Sequence, residues 1–168
     1  KLNNESLLKK MGSITKSKGV FEKNKLVWDD PKLSWHYHFF AQLLAQSKKR
    51  KRILEIGTFD GTFAHFLALN FKVDVTTIDL PDNNEFFIGT YGRERQTERE
   101  RFIQSRNRLL KLSNINFIEM DSFLLLDTFP LEYFDMVWVD GDHFAPQVII
   151  DIFCALRLVK VGGVVAID

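Results

Sequence analysis

The chain has 168 residues, of which 45% are hydrophobic and 27% are charged, and its net charge is +1. This balance is typical of one globular domain and gives no electrostatic reason to expect nucleic acid or an anionic membrane as a partner. A single cysteine, Cys154, excludes an internal disulfide, and no apolar run approaches the ~20 residues of a membrane span. Cys154 lies in an apolar helical pattern, which favours a core residue over a reactive thiol and an intracellular, cytoplasmic protein.

The first part of the chain is polar and then helical. Residues 1–33 are rich in lysine, and we expect an N-terminal extension with one or two short helices before a domain that spans 34–168. A helix is predicted from Ser34, as N-cap, to about Gln46. The basic run KKRKR at 48–52 can indicate nucleic-acid binding or nuclear localisation. Because cations also stabilise the exposed carbonyls of a helix C-terminus, we favour a solvated helix end.

A strand, a glycine-bearing loop and a helix follow in succession. Ile53–Ile56 has the character of a buried strand, Gly57 and Gly61 lie in the loop after it, and an apolar helical pattern begins at Phe63. A helix N-terminus presents unpaired N–H groups, and glycines let a ligand approach the backbone. This stretch therefore predicts a ligand cradle.

The remaining chain alternates strands and helices. Strands are predicted over 73–78, 115–119, 134–139 and 164–167, the last after a turn at Gly162 and Gly163. The segment 93–108 interleaves Arg and Glu, which predicts an exposed helix face. A helix over 146–158 is predicted to pack on the sheet through its apolar positions Ile149, Ile152, Phe153 and Leu156. The order predicts a Rossmann-like open α/β sheet, mainly parallel, with helices on both faces.

Each predicted strand carries an acid at or beside its carboxyl end. The acids are Glu55, Asp79, Asp121, Asp140 and Asp168. In open α/β sheets, ligands bind outside the carboxyl ends of the strands. One such acid is ordinary turn chemistry, whereas five in succession predict a functional rim.

Two classes of cofactor use this geometry. A dinucleotide needs G-x-G-x-x-G after the first strand, but here Phe59 stands where the second glycine would be. An acid about 20 residues later, here Asp79, suits the ribose of either class. Glu55, just ahead of the loop, suits a ligand with a positive charge. The residues therefore favour a cationic nucleoside over a dinucleotide.

Five segments of the sequence carry a family resemblance. They read ILEIGTFDGT at 53–62, Asp79 after the second strand, MDS at 120–122, FDMVWVDGDH at 134–143 and LVKVGGVVAID at 158–168. Together they resemble a class I S-adenosylmethionine-dependent methyltransferase. The V-D-G-D-H element is most similar to a small-molecule O-methyltransferase group that includes metal-dependent sugar-hydroxyl enzymes of macrolide pathways.

The resemblance implies a set of cofactor-binding residues. Gly57, Thr58 and Gly61 would wrap the methionine part, Asp79 would bind the ribose hydroxyls and Leu80 would pack on adenine. Asp121 with Ser122 would reach the adenine edge, and Glu55 and Asp140 complete the set of cofactor-binding candidates.

The resemblance also implies a metal and a base. Asp140 and Asp168 match the metal ligands of that group, and carboxylates suit Mg²⁺. His143 matches the general base; its alternative role is an N-cap or loop histidine without chemistry. The family fold adds two strands after the fifth, so we expect the protein to continue past Asp168.

We therefore expect transfer of a methyl group from S-adenosylmethionine to a hydroxyl of a small polar acceptor, with help from a metal. The alternatives are a nicotinamide-dependent dehydrogenase and a non-catalytic methyltransferase-like binding module. No nucleic-acid or membrane partner is expected, and the oligomeric state, a homo-oligomer included, stays open.

Overall fold

A computed structural model describes residues 14–30 and 32–168. The chain divides into two compact units. Within the described residues, the first runs up to Arg50 and includes Leu69–Lys72, and the second comprises Lys51–Ala68 and Val73–Asp168. Of the predicted N-terminal extension, residues 1–13 and 31 lie outside the described residues. No helix in the described part of the chain is long and apolar enough to cross a membrane.

The first unit contains two helices in its described part, α1 (Ile14–Lys23) and α2 (Trp35–Leu44). The α2 helix begins one residue after its predicted cap, but the Ser34 side chain makes no capping bond and instead lies 2.7 Å from Nδ1 of His36. The rings of Phe21, Trp28 and His38 pack together, with centroids 4.6–4.7 Å apart. An aromatic cluster thus stabilises this unit.

The second unit contains one parallel sheet. Its strands are β1 (Lys51–Ile56), β2 (Val73–Asp79), β3 (Ile115–Glu119), β4 (Phe134–Val139) and β5 (Val159–Ile167). Their order is β3-β2-β1-β4-β5, and every neighbouring pair is parallel. Because the order reverses between β1 and β4, the carboxyl ends of these central strands are where an open sheet of this kind binds ligands.

Helices cover both faces of this sheet, as predicted. They are α3 (Thr62–Asn70), α4 (Glu85–Ile88), α5 (Gln96–Leu109), α6 (Leu125–Thr128) and α7 (Gln147–Leu158), with a 3₁₀ helix at Ser122–Leu124. The core between sheet and helices includes the predicted core residue Cys154, and it also buries Leu54, Val137 and Leu158. The turn predicted at Gly162 and Gly163 does not precede the strand. Both glycines lie inside β5, at a shift in its register against β4.

The predicted packing face of α7 is wrong. Ile149, Phe153 and Leu156 are 61%, 56% and 61% exposed, whereas the buried face carries Asp151, Cys154, Ala155 and Leu158. Both faces of this helix are apolar, so hydrophobic periodicity could not tell which one meets the sheet. The helix therefore buries an acid, Asp151, and leaves a largely apolar stripe outside.

The predicted exposure of the charged helix is also wrong at Arg106. Its side chain is fully buried, and its two terminal nitrogens donate to Asp82 at 2.8 and 2.9 Å. The guanidinium also lies 4.5 Å from the centroid of the Phe117 ring. A paired guanidinium against an aromatic ring can be buried at acceptable cost, because the carboxylate and the ring face compensate for lost hydration.

Candidate active site

Backbone bonds extend the sheet past the carboxyl ends of its strands and fix the predicted rim. Asp140 N–H donates to the carbonyl of Ile56 at 2.8 Å, and Asp168 N–H donates to that of Val139 at 3.0 Å. The Gly57 N–H donates to the carbonyl of Ile78 at 2.9 Å. The glycine loop after β1 and the acids that follow β4 and β5 are thereby held by the same ladder of backbone hydrogen bonds as the strands.

Gly57 is a point of close approach between the loops after β1 and β4. Its φ is +99°, and a β-carbon on it would lie 2.2 Å from the carbonyl oxygen of Asp140 and 2.9 Å from the Cα of Gly141. Only glycine fits both the backbone conformation and this space. The glycine loop and the Asp140 loop are consequently packed backbone to backbone.

Glu55 lies fully inside the protein, in a chain of hydroxyls. Thr77 Oγ1 donates to Glu55 Oε2 at 2.5 Å and lies 2.6 Å from the hydroxyl of Thr58. Burial raises the pKa of Glu55 to about 8; the Thr77 hydrogen bond lowers it, and the charges of Asp140, Asp79 and Asp60 raise it further. The Thr58 hydroxyl is committed to this interior chain, so contact between Thr58 and a ligand would use its backbone.

Glu55 should make stability depend on pH. The folded protein keeps a proton that the unfolded chain releases above its ordinary pKa of 4.5, because burial raises the folded pKa to about 8. This contribution to the free energy of unfolding is therefore complete below pH 4.5 and is lost as the pH rises through 8, with a slope of at most about 1.4 kcal/mol per pH unit. We expect Glu55→Gln to flatten this slope in urea unfolding between about pH 5.5 and 8.5.

The matched control is Glu94→Gln, the same change at an exposed carboxyl. It should leave the slope of the unmodified protein intact. An equal slope for Glu55→Gln and the unmodified protein would show that Glu55 titrates normally in the fold.

Asp79 ends β2 and binds the glycine loop. Its Oδ2 accepts from the N–H of Phe59 at 2.9 Å, and its Oδ1 accepts from the N–H of Leu80 at 2.8 Å. Burial raises the pKa of Asp79, although these two N–H groups and the charges of Arg93 and Arg106 oppose the rise. A carboxylate offers about four lone-pair sites, so two remain for ligand hydroxyls.

Asp140, His143 and Asp168 come together at the carboxyl ends of β4 and β5. One ligand atom from each residue lies within 4.8 Å of the other two. Asp140 Oδ2 also accepts from the indole N–H of Trp138 at 3.2 Å. Burial raises the pKa of Asp140 and the charge of Asp168 adds to this, while His143 opposes it. Two carboxylates and one imidazole at this spacing fit a divalent cation, which would offset the repulsion between the acids.

The predicted adenine-edge residues follow β3. Asp121 caps the 3₁₀ helix, since its Oδ1 accepts from the N–H of Phe123 at 2.9 Å. Ser122 is buried, and its hydroxyl bonds to side chains of α7. A role of Ser122 at a ligand would therefore involve its backbone rather than its hydroxyl.

An aromatic and cationic cluster beside Asp79 is not predicted by the sequence. Phe59 has a φ of +48°, and its ring lies 5.1 Å from that of Tyr91 and 5.6 Å from that of Phe102. The guanidinium of Arg93 is 3.9 Å from the Phe87 ring and hydrogen-bonds to Thr90. Phe87 and Tyr91 lie between β2 and α5, where the four-residue α4 is the one regular element, so no periodicity could have placed their rings next to the glycine loop.

This fold is that of class I methyltransferases. The chain belongs to the methyltransferase domain family, whose model matches residues 54–168, more than half of the chain. No curated protein sequence gives a significant match.

Three solved structures illustrate the likeness in fold. The MycE methyltransferase of the mycinamycin biosynthetic pathway, in complex with Mg and S-adenosylhomocysteine, has a TM-score of 0.58 at 15% identity over 91% of this chain and 36% of its own. Phosphoethanolamine N-methyltransferase 2 of Haemonchus contortus, with S-adenosylmethionine, has a TM-score of 0.55 at 19% identity, covering 92% and 31%. A chain from the Haloferax volcanii complex with the Trm112 methyltransferase activator has a TM-score of 0.51 at 16% identity, covering 89% and 54%. The chain thus spans about half the length of these proteins or less.

Proposed function

We propose that this protein transfers the methyl group of S-adenosylmethionine to a hydroxyl of a small polar acceptor. The observation that carries the proposal is the convergence of Asp140, His143 and Asp168 within 4.8 Å. Asp140 is in backbone contact with Gly57 of the cradle, so the donor and the reacting groups would share one rim.

The charge of the rim supports S-adenosylmethionine over a pyrophosphate cofactor. Asp79 and Asp140 lie close enough to Glu55 for their charges to raise its pKa, so this part of the rim carries two acids whose negative charges repel each other. A ligand with a sulfonium and an ammonium group would relieve this repulsion, whereas a pyrophosphate would add to it. Phe59 further fills the position at which a dinucleotide needs a glycine.

Different residues of the rim would bind the donor, bind the metal and remove the proton in the proposed reaction. The Gly57 loop and Asp79 would hold the donor in line with the acceptor oxygen, and such positioning supplies much of the rate of a group transfer. Asp140 and Asp168 would hold Mg²⁺, which when bound lowers the pKa of a hydroxyl near it. His143, an exposed imidazole beside both acids, would take the hydroxyl proton as the methyl–oxygen bond forms and the methyl–sulfur bond breaks.

Calorimetric titration of the unmodified protein tests the cofactor. We expect saturable binding of S-adenosylhomocysteine (SAH) and no binding of NAD. Incubation with S-adenosylmethionine and a panel of hydroxylated small molecules, with and without Mg²⁺, then tests the reaction. Binding of NAD in place of SAH would overturn the proposal, and SAH binding without methyl transfer to any acceptor would favour a binding module.

Protein partners are a separate question for this fold. The Haloferax volcanii neighbour is in a complex with the Trm112 activator. That complex is a property of the neighbour, and we propose only the small-molecule acceptor for this chain, because the D-G-D-H loop supplies acids and an imidazole suited to a hydroxyl.

A further inference from the structure

The buried acid of α7, Asp151, has no part in the reaction proposed above. Its side chain is 1% exposed, although it stands in an apolar helix between Ile150 and Ile152. Within the described part of the chain, its hydrogen-bond partners are Ser122 and Gln147, and neither is a cation. A buried carboxylate without a cation partner costs stability, so its presence here calls for a reason other than packing.

One carboxylate oxygen of Asp151 holds the turn after β3. The Ser122 hydroxyl donates to Oδ1, and Gln147 Nε2 lies 3.0 Å from the same oxygen. Gln147 Nε2 also donates to the Ser122 hydroxyl at 2.6 Å. The side chains of Ser122, Gln147 and Asp151 thus form a closed ring of hydrogen bonds. This ring adjoins Asp121, which with Ser122 is predicted to reach the adenine edge.

The other oxygen faces the loop after β4. A β-carbon placed on Gly141 would lie 3.2 Å from Asp151 Oδ2, so a side chain at that position would press on the carboxylate. Gly141 follows Asp140 directly and precedes His143 by two residues. The carboxylate therefore lies directly against the loop that carries the proposed metal ligand and base.

These two loops belong to strands that are not neighbours. β2 and β1 lie between β3 and β4 in the sheet, so the strands are three spacings, or about 14 Å, apart. Asp151 meets both loops from one side chain, because the chain after β3 crosses toward α7 in the 3₁₀ helix. A single side chain of α7 therefore lies beside residues of both the proposed cofactor side and the proposed reaction side of the rim.

We propose that Asp151 is a positioning residue that holds the Asp121–Ser122 turn and the Asp140–His143 loop in one fixed arrangement. The proposal rests on the proposed function, because it assigns the two loops to the adenine edge and to proton removal. Without the carboxylate, the ring at Ser122 opens, and the oxygen that limits the space beside Gly141 is removed at the same time. Both loops would then sample arrangements that the cofactor must reorder when it binds.

Asp151→Ala tests this proposal through cofactor affinity and loop exchange. We expect the SAH dissociation constant to rise about 10-fold, the scale of a lost supporting hydrogen bond behind a binding group. Hydrogen exchange should accelerate selectively at residues 121–124 and 140–144. Asp151→Asn should recover most of the affinity, because its amide oxygen still accepts from Ser122 and Gln147.

The control is Leu158→Ala, on the same buried face of α7 and fully buried. It should lower the melting temperature while the SAH dissociation constant and the exchange at the two loops stay unchanged. If Asp151→Ala behaves like Leu158→Ala, Asp151 is a packing residue and the proposal is wrong. If Asp151→Ala does not fold, Ser122→Ala, which removes the hydroxyl from Oδ1, replaces it, and an unchanged SAH dissociation constant in that variant overturns the proposal.

The unmodified protein is titrated first, which separates the two proposals. Failure of the unmodified protein to bind SAH would overturn the proposed function and this inference with it. SAH binding that is equal in the unmodified protein and in Asp151→Ala would overturn this inference alone.

Discussion

Gly57→Ala should abolish SAH binding and lower the free energy of unfolding by about 4 kcal/mol or more, which is at the upper end for a single substitution. The added methyl would lie 2.2 Å from the carbonyl oxygen and 2.6 Å from the carbonyl carbon of Asp140. Neither atom belongs to a flexible side chain, so the loop after β1 must move away from the loop after β4. That movement would separate the glycine loop from the loop that carries Asp140.

Gly92→Ala is the matched control for this change. Gly92 also has a positive φ, +74°, but a β-carbon there would meet no atom within 4 Å. The control therefore carries only the backbone cost, about 1–2 kcal/mol, and should leave SAH affinity intact. Urea unfolding and calorimetry on both variants make the comparison, and SAH affinity that is undiminished in Gly57→Ala would contradict the packing described for this loop.

The strands were predictable because two independent signals agree. β2 and β4 are runs of β-branched and apolar residues, and each is followed or ended by an acid such as Asp79 or Asp140. The order of strands and helices then required parallel pairing, which brings the carboxyl ends together at one rim. The candidate residues at that rim could be named from sequence for this reason, while their roles stay predictions.

Burial could not be predicted where charge or hydrophobicity gives the same pattern on two faces. The charge pattern predicts Arg106 on an exposed helix face. Its partner Asp82 is 24 residues away in a segment without periodicity, so the sequence gives no sign of the pair that allows burial. The hydrophobic pattern predicts the exposed stripe of α7 as its core face, because Ile149 and Phe153 are as apolar as the buried Ala155 and Leu158. The acid Asp151 within that apolar helix was the one available signal that the buried face carries a polar network.

The site also depends on contacts between segments that are distant in sequence. Phe59 meets Tyr91 and Phe102 through ring contacts, and Gly57 meets Asp140 through backbone. Pairings of this kind follow from tertiary packing, which local patterns do not encode. The sequence therefore predicts which functional side chains lie at the rim better than it predicts which residues pack around them.

His143→Ala should lower methyl transfer by about 10²–10⁴-fold, the usual contribution of a general base, while SAH affinity changes little. His143 is exposed, and its ligand nitrogen lies within 4.8 Å of carboxylate oxygens of Asp140 and Asp168. Removing it deletes a proton acceptor without touching Gly57, Asp79 or Glu55. Turnover is measured with the acceptor found in the panel, and SAH affinity by calorimetry.

The same cluster would also let His143 act as a metal ligand, and two measurements separate the roles. If His143 acts as a base, His143→Ala should leave Mg²⁺ affinity unchanged, because Mg²⁺ prefers oxygen ligands. If His143 is a metal ligand, the same change should weaken Mg²⁺ binding. Asp140→Asn should weaken Mg²⁺ binding in either case, and Asp127→Asn, the same change at an exposed acid of α6, should not.

Added imidazole gives the most direct readout of the base. If His143 takes the proton, imidazole in solution should restore part of the turnover of His143→Ala, because the deleted side chain leaves an exposed position beside Asp140 that a small base can reach. It should restore nothing in Asp140→Asn, which keeps its imidazole. Turnover in His143→Ala equal to that of the unmodified protein would remove this histidine from the reaction and leave only the two acids, Asp140 and Asp168, to act on the acceptor.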